Sequence, residues 1–499
     1  MIATVDHLAS FAGLTALERG GSAADAAIAA NAVLAVTSPH MCGLGGDLFA
    51  LVHTEAGPPT ALNASGRAGS GADPERLRAE GRRSMPFRGD IRTVPVPGCV
   101  DGWLALHARY GRLPLADLLA PAIAHARDGF PASPLLAPIA TAMPEVPEPI
   151  APGDLIRRPG VARALEAIAK DGRDGFYLGE FGSGLIELGG GEYAVADLAR
   201  VNADWVQPLG ARVYGHDVWT IPPNSQGYLL PFALTISAGL DLPDDPDDAA
   251  WAHLLAESAR VAGHDRPDVL HEHADLRPVL ASAADRRAMI DPRRRAAVRD
   301  LASPGDTTYL CAVDADGMGV SLIQSNASGF GSLLFEPRTG INLHNRGLGF
   351  NLTPGHPAEY GPGRRPPHTL SPALVTRPDG SLRTVAGTMG GDGQPQILLQ
   401  VLTRLLRHGE SPGRAIRSPR WVTGTGPTGF DTWDDPDAAT LRVEDGAPWS
   451  GGLRERGHQV EATPYGSAFG HAHLIDVRPD GTLAGAADPR ALTGAAIGR

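Results

Sequence analysis

Thr307 heads the run Thr307-Thr308-Tyr309-Leu310-Cys311-Ala312-Val313, and Ser325 and Asn326 end the run that begins at Val320. Asp316-Gly317 separates the two, and Asp-Gly between apolar, β-branched runs is a strong hairpin signal. A tight pairing returns Ser325 and Asn326 to the side of Thr307. A threonine hydroxyl attacks an acyl carbon only when a base takes its proton, and the threonine's own α-amine can be that base if the chain is cut before it. Local chemistry alone also fits an uncut surface hairpin. A second candidate is Gly390-Gly391, which follows the strand-like Thr384–Thr388 and precedes a helix opening at Gln394-Pro395. Glycines at such a junction present backbone N–H groups to an anion.

The elements that must hold these groups are legible in part. Ser22-Ala23-Ala24-Asp25 has the form of a capping box, and the alanine-rich run from Ala23 to Val36 predicts a buried helix that stops before Pro39. Cys42-Gly43-Leu44-Gly45-Gly46-Asp47 has neither phosphate-loop nor dinucleotide spacing, so a tight turn into a strand over Leu48–His53 is expected. Leu113–Arg127, Gly160–Lys170, Trp251–Val261 and the run after Gln394 carry helical periodicity. Residues 284–306 are charged and end in Ser303-Pro304-Gly305-Asp306, an exposed approach to the threonine. Asp480-Gly481 predicts a further hairpin.

Composition narrows the class. The chain has 499 residues, 42% hydrophobic and 20% charged, with a net charge of −12, which argues against a general nucleic-acid binder. Cys42, Cys99 and Cys311 match no zinc spacing and are too few for a disulfide framework. His271-Glu272-His273 and His471-Ala472-His473 suggest metal ligands. Positions i and i+2 do not share a helix face, no third ligand is evident, and exposed histidines are expected at both. No secretory pattern or 18-residue apolar run occurs, so a cytoplasmic location away from membranes is the expectation.

Several motifs in order resemble the γ-glutamyltranspeptidase family of N-terminal-nucleophile hydrolases. They are Gly20–Ala27, Thr37–Asp47, Pro97-Gly98, Gly102-Trp103, Ala126–Phe130, the Thr307 segment, Gly340–Arg346, Arg365-Pro366, Gly390-Gly391, Ser418-Pro419-Arg420 and Asp488-Pro489-Arg490. The resemblance implies an α+β fold, a four-layer αββα sandwich. It implies self-cleavage between Asp306 and Thr307, with residues 1–306 and 307–499 remaining together as one composite domain. The processed protein would be one heterodimer or a pair of them, with no cofactor and no metal. Thr307 would be nucleophile and α-amine base, Ser325 and Asn326 would support it, and Gly390 and Gly391 would form the oxyanion hole. The reaction would be hydrolysis or transfer of a γ-glutamyl or other acyl group from an amide to water or an amine.

The substrate positions depart from the family. Where γ-glutamyl-specific members hold the α-amino group with Gln and Asp, this chain has Arg346 and Gly349. Their Ser-Ser pair reads His368-Thr369, and their carboxylate-binding Arg aligns with Ser65, two residues before Arg67. Arg67, Arg346, His368 and Thr369 are therefore the candidate substrate contacts. A dedicated biosynthetic acylase or C–C hydrolase, and an uncleaved binding homologue, are the competing readings.

Overall fold

The computed structural model describes residues 1–296, 306–424 and 440–499. Ser303-Pro304-Gly305, expected as an exposed approach to the threonine, lies outside the described residues.

The alternating runs around Asp316-Gly317 form two paired strands. The first is Asp306–Val313 and the second Gly319–Ala327, with Gly319 opposite Val313 and Gln324 opposite Thr308. Gly317 takes φ +84°, a left-handed conformation glycine adopts without a Cβ penalty. Asp314 tightens the turn by accepting from the N–H groups of Asp316 and Met318, each at 3.0 Å. Its other oxygen accepts from Ala23 N at 2.9 Å, tying the hairpin to the start of a helix. Near Thr307 the register shifts between Gln324 and Ala327, a bulge that re-aims side chains beside the strand head.

We number the strands of the two large sheets β1 (Ile2–Thr4), β2 (Asp47–His53), β3 (Thr60–Ala64), β4 (Asp204–Val206), β5 (Leu209–Val213), β6 (His216–Thr220), β7 (Asp306–Val313), β8 (Gly319–Ala327), β9 (Ala373–Thr376), β10 (Leu382–Thr388), β11 (Ala472–Val477), β12 (Leu483–Ala486) and β13 (Ala495–Ile497). The first sheet has the order β13-β1-β7-β8-β2-β3-β4, and the second β12-β11-β10-β9-β6-β5. They face each other across a core of Phe49, Tyr309, Ile323, Leu374, Val385 and Ile475. Helices cover the outer faces: α1 (His7–Glu18), α2 (Ala23–Thr37), α3 (Cys99–Tyr110), α4 (Leu115–Asp128) and α5 (Pro159–Tyr177) on the first sheet, and α6 (Leu229–Ala238), α7 (Ala249–Gly263) and α8 (Gln394–Leu406) on the second. This is the αββα sandwich expected from the resemblance. α2 shows the expected capping box, with Ser22 and Asp25 bonded reciprocally at 2.9 and 3.1 Å. All its residues are buried, because it lies between the sheet and both α1 and α4; small alanines permit that approach.

The expectation of exposed histidines at 471 and 473 is corrected. Both are buried, His471 just before β11 and His473 within it. His473 accepts from Asp488 N at 3.1 Å and stacks near Tyr309 of the opposite sheet. A strand covered on both faces buries alternate positions alike. His273, by contrast, is exposed.

Candidate active site

Thr307 is the second residue of β7 and is buried. Its Oγ1 donates to Ser325 Oγ at 3.0 Å. Ser325 sits at the bulge, and its Oγ also accepts from Ala327 N at 2.8 Å and from Arg346 Nη2 at 3.3 Å. Arg346 Nη1 donates to Thr369 Oγ1 at 2.9 Å. The nucleophile candidate is thus linked through one hydroxyl to a fully buried guanidinium. Burial lowers the Arg346 pKa to about 10, and the carboxylates of Asp47 and Asp392 oppose that shift.

The glycine turn approaches from the opposite sheet. β10 crosses over the hairpin, with Leu382 and Val385 against Gly319 and Gly387 against the Tyr309 ring. Because Gly319 pairs with Val313, β10 runs toward the Thr307 end of the hairpin and delivers Gly390 and Gly391 there. These glycines take φ +136° and +53°. Among the described residues neither N–H donates to an acceptor. Gln226 fixes the turn, since its Nε2 donates to both Gly391 O and Thr369 O at 3.1 Å.

Behind Arg346 lies a cluster whose members come from three separate stretches of the chain. Asp47, at the start of β2, is buried and accepts from Gly66 N at 2.8 Å and from His368 Nε2 at 3.0 Å. His344 Nδ1 is 3.5 Å from the same carboxylate, and its Nε2 donates to Pro95 O at 2.8 Å. Burial would raise the Asp47 pKa, but the two imidazoles beside it hold it well below the usual carboxylate range. The His368 pKa falls to about 3 through burial and, next, the Arg346 charge, so the ring is neutral near pH 7. Its Nδ1 accepts from Leu370 N, which leaves the proton on Nε2, facing Asp47.

Of the candidate substrate contacts, Arg346 and Thr369 line a cavity of about 350 Å³ together with Asp392 and Arg266, which pair at 3.0 Å. His368 faces Asp47. Arg67 forms ion pairs with Glu272 and with Asp204, the latter at 3.5 Å, and is not among the cavity's lining residues. Asn326 projects to the opposite side of β8 from Ser325, and its Nδ2 donates to Pro39 O at 3.0 Å. Nothing in the sequence assigned Asp47, Gln226, Arg266, His344 or Asp392 to the site. Their partners are distant along the chain, although Asp47 and His344 fall inside motifs that carry the resemblance.

Among the described residues one cluster has metal-ligand chemistry, His253, Glu257 and His458. Its carboxylate is already engaged, by Arg260 at 2.5 Å and Ala296 N at 2.7 Å, and His253 Nε2 meets Asp291 O at 2.9 Å. The cluster clasps the backbone of residues 291–296.

Over residues 9–498 the chain matches the family described as Gamma-glutamyltranspeptidase. It is 36% identical to the Glutathione hydrolase-like YwrD proenzyme of Bacillus subtilis (strain 168), over 100% of this chain and 98% of that one. It is 36% identical to the Oxamate amidohydrolase proenzyme of Klebsiella pneumoniae, over 99% and 97%. The crystal structure of a cephalosporin acylase from Bacillus halodurans superposes with a TM-score of 0.89 at 33% identity, covering 99% of this chain and 94% of that one. These relatives support an autoprocessing amidohydrolase or acyltransferase of two chains. The chain is an enzyme that belongs to the γ-glutamyltranspeptidase family of N-terminal-nucleophile hydrolases.

Proposed function

We propose that the protein cleaves itself between Asp306 and Thr307 and then hydrolyses an amide whose acyl part carries an anionic group in place of an α-amino acid handle. The observation that carries this reading is the hydrogen-bonded line from Thr307 through Ser325 to Arg346, at 3.0 and 3.3 Å. After cleavage the Thr307 α-amine takes the Oγ proton as Oγ attacks the amide carbon. The C–N bond breaks and the amine leaves with that proton. Water then adds to the acyl-enzyme ester, releases the carboxylic acid and restores the hydroxyl. Gly390 and Gly391 N–H groups receive the charge that develops on the carbonyl oxygen, each typically worth about 3–4 kcal/mol.

The choice of acyl group rests on charge. A γ-glutamyl donor brings an ammonium, which the buried Arg346 guanidinium repels. Asp392, the carboxylate on the cavity wall, is paired with Arg266. A carboxylate of the kind oxamate carries has the charge and planar geometry to fork onto an arginine. The test compares oxamate with a γ-glutamyl anilide on processed enzyme. Faster turnover (higher kcat/KM) of oxamate, abolished by Thr307→Ala, is expected. Preferred turnover of the γ-glutamyl anilide would overturn the choice of acyl group while leaving the nucleophile in place.

A further inference from the structure

The cavity at Arg346 is larger than a small anionic amide requires, and part of its lining is apolar. Its volume of about 350 Å³ falls in the range of roughly 300–1,000 Å³ typical of sites that enclose drug-sized ligands. Its lining is mixed: Arg346, Thr369 and the Arg266–Asp392 pair are polar, as are Arg83 and His356. Phe87, Leu348 and Phe350 supply apolar lining in the same cavity. Phe350 belongs to a small buried cluster with Met85, Leu352 and Tyr360, so this wall is backed by a packed core. Phe87 and Leu348 are only half-buried. Half-exposed apolar groups on the wall of a concave site gain by being covered. Oxamate, with two carbons, fills only a small part of that volume.

We propose that the substrate is an amide with two recognition elements: an anionic group held at Arg346 and an apolar arm, aryl or branched alkyl, laid against Phe87, Leu348 and Phe350. This rests on the anionic-amide reading above and adds the arm. The arm supplies binding energy remote from the reacting carbon, which is spent in reaching the transition state. Discrimination between otherwise matched amides should then appear in kcat/KM.

The test uses processed enzyme and two matched pairs. One pair places the arm on the amine: N-methyloxamate and N-benzyloxamate. The other places it on the acyl side: the primary monoamides of methylmalonate and benzylmalonate. A tenfold or greater kcat/KM advantage for the benzyl member of either pair is expected. Leu348→Asn should erase that advantage. Equal kcat/KM within both pairs would overturn the proposal, and so would a benzyl advantage that Leu348→Asn leaves intact. Oxamate, assayed alongside, separates the two levels. Thr307-dependent oxamate turnover without a benzyl advantage removes the arm and keeps the anionic-amide reading. Processed enzyme that turns over none of the five removes both.

Discussion

At the scale of single residues, the site is a set of buried polar groups that hold one another. Arg346 is the group most exposed to test, because it touches Ser325, Thr369 and the cavity at once. Arg346→Ala should raise KM for an anionic amide about tenfold or more with a smaller change in kcat, measured by steady-state kinetics; an unchanged KM would remove its role in binding. His368 is tested by its neighbours. In His368→Leu the Asp47 carboxylate loses a donor inside the protein, and stability should fall by roughly 1.5–3 kcal/mol in urea unfolding. His368→Gln can still donate to Asp47 and accept from Leu370 N–H, so it should recover most of that loss. Equal destabilisation by both substitutions would mean that ring volume matters and the bond to Asp47 does not. Thr307 and Ser325 were legible from sequence because both belong to one hairpin with a recognisable turn. The Asp47 cluster was not: His368 lies 321 residues from Asp47, and only sheet packing brings them together. Asn326 was expected beside Thr307, but strand alternation at the bulge gives that place to Ser325 alone.

At the scale of elements, the hairpin and the glycine turn do different work. β7 and β8 are central strands with partners on both sides, so Thr307 and Ser325 sit on rigid backbone. The Gly390–Gly391 turn ends β10 and hangs on Gln226. Gly391 at φ +53° tolerates a side chain poorly; the left-handed region costs other residues roughly 1–2 kcal/mol. Gly391→Ala should displace the N–H and lower kcat about 10²–10³-fold while KM moves much less. A loss confined to KM would assign the turn to binding. The elements themselves were the most legible part of the sequence. The hairpin, the capped helix α2 and the helices near 115, 160, 250 and 394 all appear with ends displaced by a few residues; α5 is broken by a kink at Gly172 (φ +60°), two residues past the expected end at Lys170. Capping and turn chemistry are local. What local pattern could not supply was the exposure of His471 and His473, because both faces of β11 are covered.

At the scale of the whole molecule, segments before and after residue 306 interleave. β1, β2, β3 and β4 share a sheet with β7, β8 and β13, and β5 and β6 share the other with β9 to β12. A cut between Asp306 and Thr307 detaches only the first residue of β7 and leaves both sheets shared by the two pieces, which should separate only on denaturation. Buried histidines give the assembly an acid limit. The pKa values of His40, His368, His458 and His471 are lowered to about 3, and that of His473 to about 4, chiefly by burial. Below the ordinary imidazole value near 6.5 the unfolded chain takes up these protons first. The stability they contribute is thus present above about pH 6.5 and is lost as pH falls toward 3, by about 1.4 kcal/mol per pH unit for each group. Thermal melts should show Tm dropping from just below pH 6.5; a Tm flat down to pH 4.5 would contradict this. The most direct test of the central claim is the intact mass of the purified protein beside its Thr307→Ala variant. Two polypeptides, the smaller beginning at Thr307, with the variant left as one chain, is the expected result. A wild-type chain that stays whole on long incubation, indistinguishable from the variant, would mean that Thr307 never gains a free α-amine and that the mechanism is wrong.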